Sequence, residues 1–463
     1  MPCHLSVTQL VDIIDATPVN LSDKAASAKF TDITTDTRSL KPGHLFLALR
    51  GERFDGHDFA AVAIERGAIA VITDRRTGSQ LNGVPQIQVQ DTLQAYQQIA
   101  RWWRDQFNIP VIAVTGSVGK TTTKELIAAV LSTQGKVLKT QANYNNEIGV
   151  PKTLLQLDSE HDYAVIEMAM RGSGQIALLS QIARPTVSVI TNVGTAHIGL
   201  LGSEEAIAKA KCELLVEMPA TGVAVLNHDN QRLIDTAATV WQGQILTYGL
   251  EGGDLQGQLI DSETLEVEGR QFPLPLSGRH NALNYLAALA VAKILEVDWA
   301  ALNKGLEVEL PAGRSRRYDL PNDVVILDET YNAGLESMLA ALHLLAQTPG
   351  KRHIAVLGTM KELGERSPEF HQQVGKTAQE LNLDALLIVV EDPEAEAIAQ
   401  GVRSANATGV APMSVDCFSS QDAVVKRLQE LVQPGDRLLF KASRSVGLDR
   451  VVNQFRESTN FKR

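Results

Sequence analysis

Residues 111–125 read VIAVTGSVGKTTTKE. A short apolar, β-branched run breaks at Gly116, turns through Ser117, Val118 and Gly119, and meets a helical pattern at Lys120-Thr121. Strand, glycine loop and helix start form a cradle for a polyphosphate. Glycines let backbone N–H groups approach the phosphates, the lysine ammonium reaches the outer ones, and the Thr121 hydroxyl is placed to ligate Mg²⁺. The helix N-terminus, continued by Thr122, adds positive potential. The spacing is G-x-x-G-K-T, with Val114 where the longer form of the motif has its first glycine. The competing reading is a strand-to-helix turn that happens to carry a lysine. The β-branched run before it and the helical pattern after it favour a nucleoside triphosphate site.

Other residues further along could serve such a ligand. Glu167 closes the apolar run Tyr-Ala-Val-Ile, where a carboxylate is costly to bury unless it is paired or metal-bound. An ion pair with Arg171 is the structural alternative. His197 follows the β-rich run 186–193, and strand ends are where open α/β sheets bind ligands. Taken alone, such a histidine is more often satisfied by its neighbours than a ligand, and its value comes from its position. The segment NYNNEIGVP at 143–151 places Asn143 and Asn146 before a helix start, to cap it or to grip a ligand. GRHNALNYLAAL at 278–289 puts His280, Asn281 and Asn284 on the first turn of an apolar helix, in reach of a base or ribose.

Several elements must position these residues. From 1 to 107, short strands at 44–49 and 68–73 mix with helices at 58–66 and 91–106, and Asn108-Ile109-Pro110 then breaks the pattern. From 108 to 312, strands at 111–115, 163–168, 186–193 and 223–227 alternate with helices such as 204–217. Short strands follow at 245–275 and a helix at 281–295, a pattern that predicts a parallel sheet covered on both faces. From 313 to 463, runs at 324–328, 353–358, 385–390 and 437–441 predict a second doubly wound unit without its own lysine loop. The expected fold is α/β in three domains, with the chemistry in a crevice where domains meet.

At 463 residues, 44% hydrophobic and 21% charged, the chain has the composition of a soluble globular protein of about three domains. No run approaches the ~18 apolar residues of a membrane helix. The first twenty residues lack a basic start followed by an apolar core, so a cytoplasmic location without membrane insertion is expected. A net charge of −11 argues against nucleic acid as a partner. Cys3, Cys212 and Cys417 are far apart and imply neither a disulfide framework nor a zinc site.

Taken together, the segments resemble the Mur ligase family, and within it the branch that adds D-alanyl-D-alanine to a UDP-N-acetylmuramoyl tripeptide. The likeness runs from DTRSLKPGHLFLALRGERFDGHDF at 36–59 through the loop, NYNNEIGVP, VIEM, NVGTAHIGLLGS at 192–203, AKAKCELL at 208–215 and GRHNALNYLAA. It continues through PAGRSRRY at 311–318, LDETYNA at 327–333, LGTMKELGE at 357–365 and KASRSVGLDRVV at 441–452. The resemblance implies an N-terminal UDP-sugar domain, a central ATPase and a C-terminal Rossmann-like domain. It also implies ATP-driven amide-bond formation through an acyl phosphate, with Mg²⁺, in peptidoglycan precursor synthesis by a monomer.

By the same resemblance, Thr121 and Glu167 are ligands of a first metal and His197 of a second. Lys211 is the lysine that the family carbamylates with CO₂; without the resemblance it reads as a lysine on an amphipathic helix. Asn281, Asn284, Arg314, Asp328 and Glu329 are implied to contact ATP. Thr37, Arg38, Arg53, Asp55 and His57 are implied to serve the UDP-sugar, and Lys441, Ser443 and Arg444 to meet the peptide substrates. The chain departs from the family's usual wording after Glu167 and Asn332, and at Thr359 and Ala442. The sister ligase that adds the third amino acid usually carries Asp-Asn-Pro-Arg, which does not occur here. Folylpolyglutamate synthetase lacks the N-terminal signature. A nucleotide binder with decayed activity need not keep both metal positions.

Overall fold

The computed structural model describes residues 5–51, 54–74, 84–390, 393–406 and 413–460. Their strands form three sheets, of five, nine and six strands. In the N-terminal sheet, Asp32–Thr34, His44–Leu47, Ala70–Thr73 and Gln86–Gln88 run parallel, and Thr17–Val19 pairs antiparallel on the last of them. The region expected as helix 58–66 is a 3₁₀ turn, Gly56–Phe59, followed by helix Ala60–Glu65. The Asp55 carboxylate accepts from the His57 amide, capping the tight turn before the α-helix begins.

The central sheet carries the phosphate loop. Val111–Thr115 lies between Tyr163–Glu167 and Val187–Ile190, all parallel and buried along nearly their whole length. Val137–Lys139 lies outside Tyr163–Glu167, and Val223–Asn227 outside Val187–Ile190. The chain thus leaves the loop strand toward one edge and later returns to build the other, and ligands bind at such a reversal. Apolar β-branched runs with no polar alternation, such as VIAVT, form strands buried on both faces. Beyond them, Leu255–Leu259, Thr264–Val267 and Arg270–Pro273 form an antiparallel meander.

Helix Lys120–Leu131, which starts at the loop, packs against Arg279–Ile294. The second helix is apolar on every side and almost wholly buried, as its Ala-Leu-Val content requires. One polar pair crosses between them: Thr123 Oγ1 donates to Asn284 Oδ1 at 3.1 Å.

In the C-terminal sheet, Val324–Asp328, Asp436–Lys441, Arg352–Gly358, Ala385–Val389 and Ser414–Phe418 run parallel in that spatial order. An antiparallel edge strand, Arg316–Leu320, precedes them, where only a basic motif was evident from the residues. Its five residues are all exposed or half-buried, so no apolar run announced it. The tight return to Val324 uses Asn322 and Asp323 at positive φ. Among the described residues no helix is long and apolar enough to cross a membrane.

Candidate active site

Two glycines are fixed by close approach. A Cβ on Gly116 would lie 1.9 Å from Thr191 Oγ1, and one on Gly119, at φ 82°, would lie 2.6 Å from Asn284 Oδ1. The loop is further pinned by the next strand's end. Asn192 Oδ1 accepts from the Val118 amide at 3.0 Å, Thr191 Oγ1 donates to the Val118 carbonyl at 2.6 Å, and Ser117 Oγ accepts from the Gly194 amide at 2.9 Å. Lys120 Nζ donates to the carbonyls of Gly116 at 2.8 Å and Ser117 at 3.2 Å. Burial pushes this ammonium below the usual lysine range, while nearby Glu167 pulls the other way. Neutral carbonyls are weaker partners for it than a phosphate would be.

Glu167 is 2% exposed at its strand's end. Its Oε1 accepts from Asn145 Nδ2 at 2.7 Å, and its amide donates to Thr140 Oγ1 at 3.0 Å. Oε2 is buried without a hydrogen bond, 4.0 Å from Lys124 Nζ. Lys124, itself buried, donates to the Thr140 carbonyl at 2.7 Å and lies 2.8 Å from Glu125 Oε1. The alternative partner Arg171 forms no ion pair with Glu167. A buried carboxylate oxygen left open in the same crevice as Thr121 suits a hard cation. Among the described residues no three His, Cys, Asp or Glu side chains converge.

His197 adopts φ 67° at the start of a short helix, Ile198–Leu201. Its Nδ1 lies 2.5 Å from Glu362 Oε2, in contact but off the ring's ideal N–H direction. Burial lowers its proton affinity, Glu362 opposes that, and Lys120 and Lys211 reinforce it. Lys211, on helix Glu204–Val216, is buried, and desolvation drives its pKa well below the lysine range, with Lys120 adding to the shift. Ser203 caps this helix by accepting from the Ala206 amide, and Glu213 ties it to Ser173 and the amides of Gly174 and Ala177. A rigidly held amine with lowered proton affinity is the form that adds to CO₂.

A crevice of about 790 Å³ opens between the central and C-terminal sheets, over Lys120, Glu167 and His197, while Lys211 lies outside its lining. Its lining brings together Ser117 to Thr122, Asn143, Asn146, Glu167, His197, Asn281, Asn284, Arg314, Glu329 and Lys441. Asn146 Oδ1 accepts from the Gly149 amide, so it caps a helix as well. Arg314 lies 3.7 Å over the Tyr331 ring, with its Nε buried and unbonded. Lys441 Nζ donates to the Asn332 carbonyl at 3.0 Å, and burial lowers its pKa.

Other expected residues lie outside this lining. Asp328 accepts from the amide and hydroxyl of Thr330, and burial raises its pKa. Ser443 Oγ accepts from the Lys361 amide, while Arg444 is exposed and 3.8 Å from Asp449. Thr37, Arg38, Asp55 and His57 belong to the N-terminal unit, and Arg53 lies outside the described residues. Sequence reasoning missed Asn145, Tyr331, Glu336 and Glu362. Asn145, Tyr331 and Glu362 stood inside motifs already quoted, and Glu336 in none. Tyr331, Glu336 and Glu362 gain meaning only when the C-terminal sheet is laid against the central one.

Family models match three consecutive stretches: "Mur ligase family, catalytic domain" over 29–104, "Mur ligase middle domain" over 114–292, and "Mur ligase, glutamate ligase domain" over 313–444. The chain is 58% identical to the UDP-N-acetylmuramoyl-tripeptide--D-alanyl-D-alanine ligase of Synechocystis sp., covering 98% of each, and 36% identical to that of Escherichia coli, covering 98% and 99%. It is similar to the crystal structure of MurF from Acinetobacter baumannii, with TM-score 0.88, 32% identity and coverage of 99% and 100%. The MurF ligase of Thermotoga maritima in complex with ADP matches with TM-score 0.82 at 32% identity, covering 96% and 100%.

Proposed function

We infer that this chain, which belongs to the Mur ligase family, is an ATP-dependent ligase that joins D-alanyl-D-alanine to a UDP-N-acetylmuramoyl tripeptide during peptidoglycan synthesis. One observation of the site carries the reading. An unbonded buried carboxylate oxygen on Glu167 and a loosely held Lys120 face the same crevice as groups from the C-terminal sheet. That arrangement supports activation and condensation in one enclosure.

In this reading the tripeptide's terminal carboxylate attacks the γ-phosphorus of ATP, and the bond to the β-phosphate oxygen breaks to release ADP. The dipeptide amine then attacks the acyl carbon, loses a proton, and displaces phosphate as the amide forms. Bringing a carboxylate to a triphosphate sets anion against anion. Lys120 and the loop amides hold the triphosphate, and Asn145 fixes Glu167 so that its free oxygen and the Thr121 hydroxyl face one cation. When bound, Mg²⁺ would neutralise charge on the transferring phosphoryl group.

His197 and Lys211 complete a second cation position in this assignment. There the neutral Lys211 amine adds to CO₂, and proton loss leaves a carbamate able to ligate. Asn281, Asn284, Arg314 and Glu329 serve the nucleotide, with Asp328 acting from behind through Thr330. Asn143, Asn146, Lys441, Ser443 and Arg444 serve the peptides; Thr37, Arg38 and Arg53 serve the UDP-sugar by contact, and Asp55 and His57 serve it by holding the chain in shape. Residues 1–107, 108–312 and 313–463 are the three domains, working as a cytoplasmic monomer.

Phosphate release is the test. It is expected only with ATP, Mg²⁺, UDP-N-acetylmuramoyl tripeptide and D-alanyl-D-alanine together. Rapid release without the dipeptide, or none in any combination, would overturn the reading.

A further inference from the structure

The loop 194–199, which presents His197 to the crevice, is held from both sides. From the central domain it is fixed by Ser117 Oγ at the Gly194 amide. From the C-terminal domain it is fixed by two carboxylates. Glu336, at the start of helix Leu335–Gln347, accepts from the Thr195 amide at 2.6 Å and from the Thr195 hydroxyl at 3.2 Å. Glu362 lies 2.5 Å from His197 Nδ1, and its own carbonyl accepts from the Gly199 amide at 3.0 Å.

The approach is close enough to exclude side chains. A Cβ on Gly194 would lie 2.4 Å from Glu336 Oε1, and one on Gly199 would lie 2.6 Å from the Gly364 nitrogen. A carboxylate on one imidazole nitrogen is the arrangement that fixes ring orientation and tautomer in metal-binding histidines, leaving the other nitrogen to the metal. Here the carboxylate and the histidine belong to different domains.

We propose that Glu362 is a positioning residue that orients His197 across the domain interface, with Glu336 anchoring the loop, so that cation capture and docking of the C-terminal domain are coupled. The proposal rests on the assignment of His197 as a cation ligand made above. With the C-terminal domain docked, His197 is held with Nδ1 toward Glu362 and Nε2 free. With it displaced, the ring is without that partner and the second cation position loosens. By reciprocity, a cation held at His197 favours the docked arrangement.

The experiment uses the full chain with a non-hydrolysable ATP analogue. Mn²⁺ binding is followed by electron paramagnetic resonance and compactness by small-angle X-ray scattering. Glu362→Gln keeps the side chain's size and removes its charge; Glu362→Ala removes the carboxylate altogether. Arg366→Ala is the control. It breaks another cross-domain pair, to Glu204 at 3.5 Å, that does not touch the loop. For both Glu362 variants, the weaker Mn²⁺ site is expected to fall about 10- to 100-fold in affinity. Mn²⁺ should no longer reduce their radius of gyration as it does that of the parent. Arg366→Ala should behave as the parent.

Parent-like Mn²⁺ affinity and compaction in both Glu362 variants, with parent-like thermal unfolding, would overturn the proposal. So would equal losses in Arg366→Ala, which would make the effect one of docking alone. Failure of the ligase reading shows separately, as absence of substrate-dependent phosphate release from the parent chain.

Discussion

The crevice and the N-terminal cluster hold similar residue types and treat them in opposite ways. In the crevice, polar groups are buried and left short of partners, Glu167 Oε2 and Arg314 Nε, and Lys211 nearby is buried as well. In the N-terminal cluster around His57 they satisfy one another. His57, buried, has Nδ1 2.6 Å from Asp55 Oδ1 and accepts at Nε2 from the Asp74 amide at 3.1 Å, while Arg50 donates to Asp74 at 2.7 Å. A buried polar atom without a partner costs about 1–3 kcal/mol, so a fold keeps one where a ligand completes it. A closed network holds a loop in shape without help. The contrast separates residues that meet ligands from residues that position the chain.

The largest effect expected from this contrast is at Lys211. Its lowered pKa means that the folded chain binds fewer protons there than the unfolded chain between that lowered value and the ordinary lysine value of about 10.4. Unfolded protons exceed folded ones, so this group's contribution to stability rises with pH, and at neutral pH the amine is a cost. In CO₂-free buffer, Lys211→Met is therefore expected to melt at or above the parent's temperature at pH 7, the difference fading toward pH 10. Turnover with bicarbonate present should fall by on the order of 10²–10³-fold. Parent-like turnover would remove the carbamate, and a large drop in melting temperature would place Lys211 with the satisfied structural groups.

His57 tests the other side. Replacing it by Ala removes the ring's bonds to the Asp74 amide and the Asp55 carboxylate, for a loss of roughly 1–3 kcal/mol in urea unfolding. Residual affinity for the UDP-sugar, measured where the variant is still folded, should change little. If stability were unchanged and the UDP-sugar KM rose more than tenfold, His57 would belong with the ligand-facing residues.

How far these regions could be read in advance follows from the same physics. The runs VAVLN and VVILD form strands over those same residues, because an unbroken β-branched run buried on both faces has few alternatives. Lys120, Glu167 and His197 announced themselves by type at strand ends. Arg316–Leu320 did not, since an exposed edge strand carries no apolar run. Glu336 and Glu362 did not either. Each is an ordinary exposed-type acid on its own segment, and its meaning comes from a loop more than 140 residues earlier in one case.

Arg38 offers the smallest effect and a sharp distinction. Its guanidinium grips Asp36 in a forked contact, with Nη2 2.7 Å from Oδ2, and the Arg38 hydrogen bond holds the Asp36 carboxyl at a pKa of about 2. The arginine side chain is nonetheless 87% exposed, so the pair is solvent-screened and adds little to stability. A pair that weak can be exchanged for a diphosphate, whose charge-assisted fork is stronger. Arg38→Ala should therefore leave the urea unfolding midpoint close to the parent's. The UDP-sugar KM should rise several-fold, and added salt should raise the parent's KM more than the variant's, because salt screens the guanidinium–phosphate attraction that only the parent has. A KM and salt response unchanged from the parent would leave Arg38 as a surface charge and return the sugar's phosphates to other cations of the N-terminal unit.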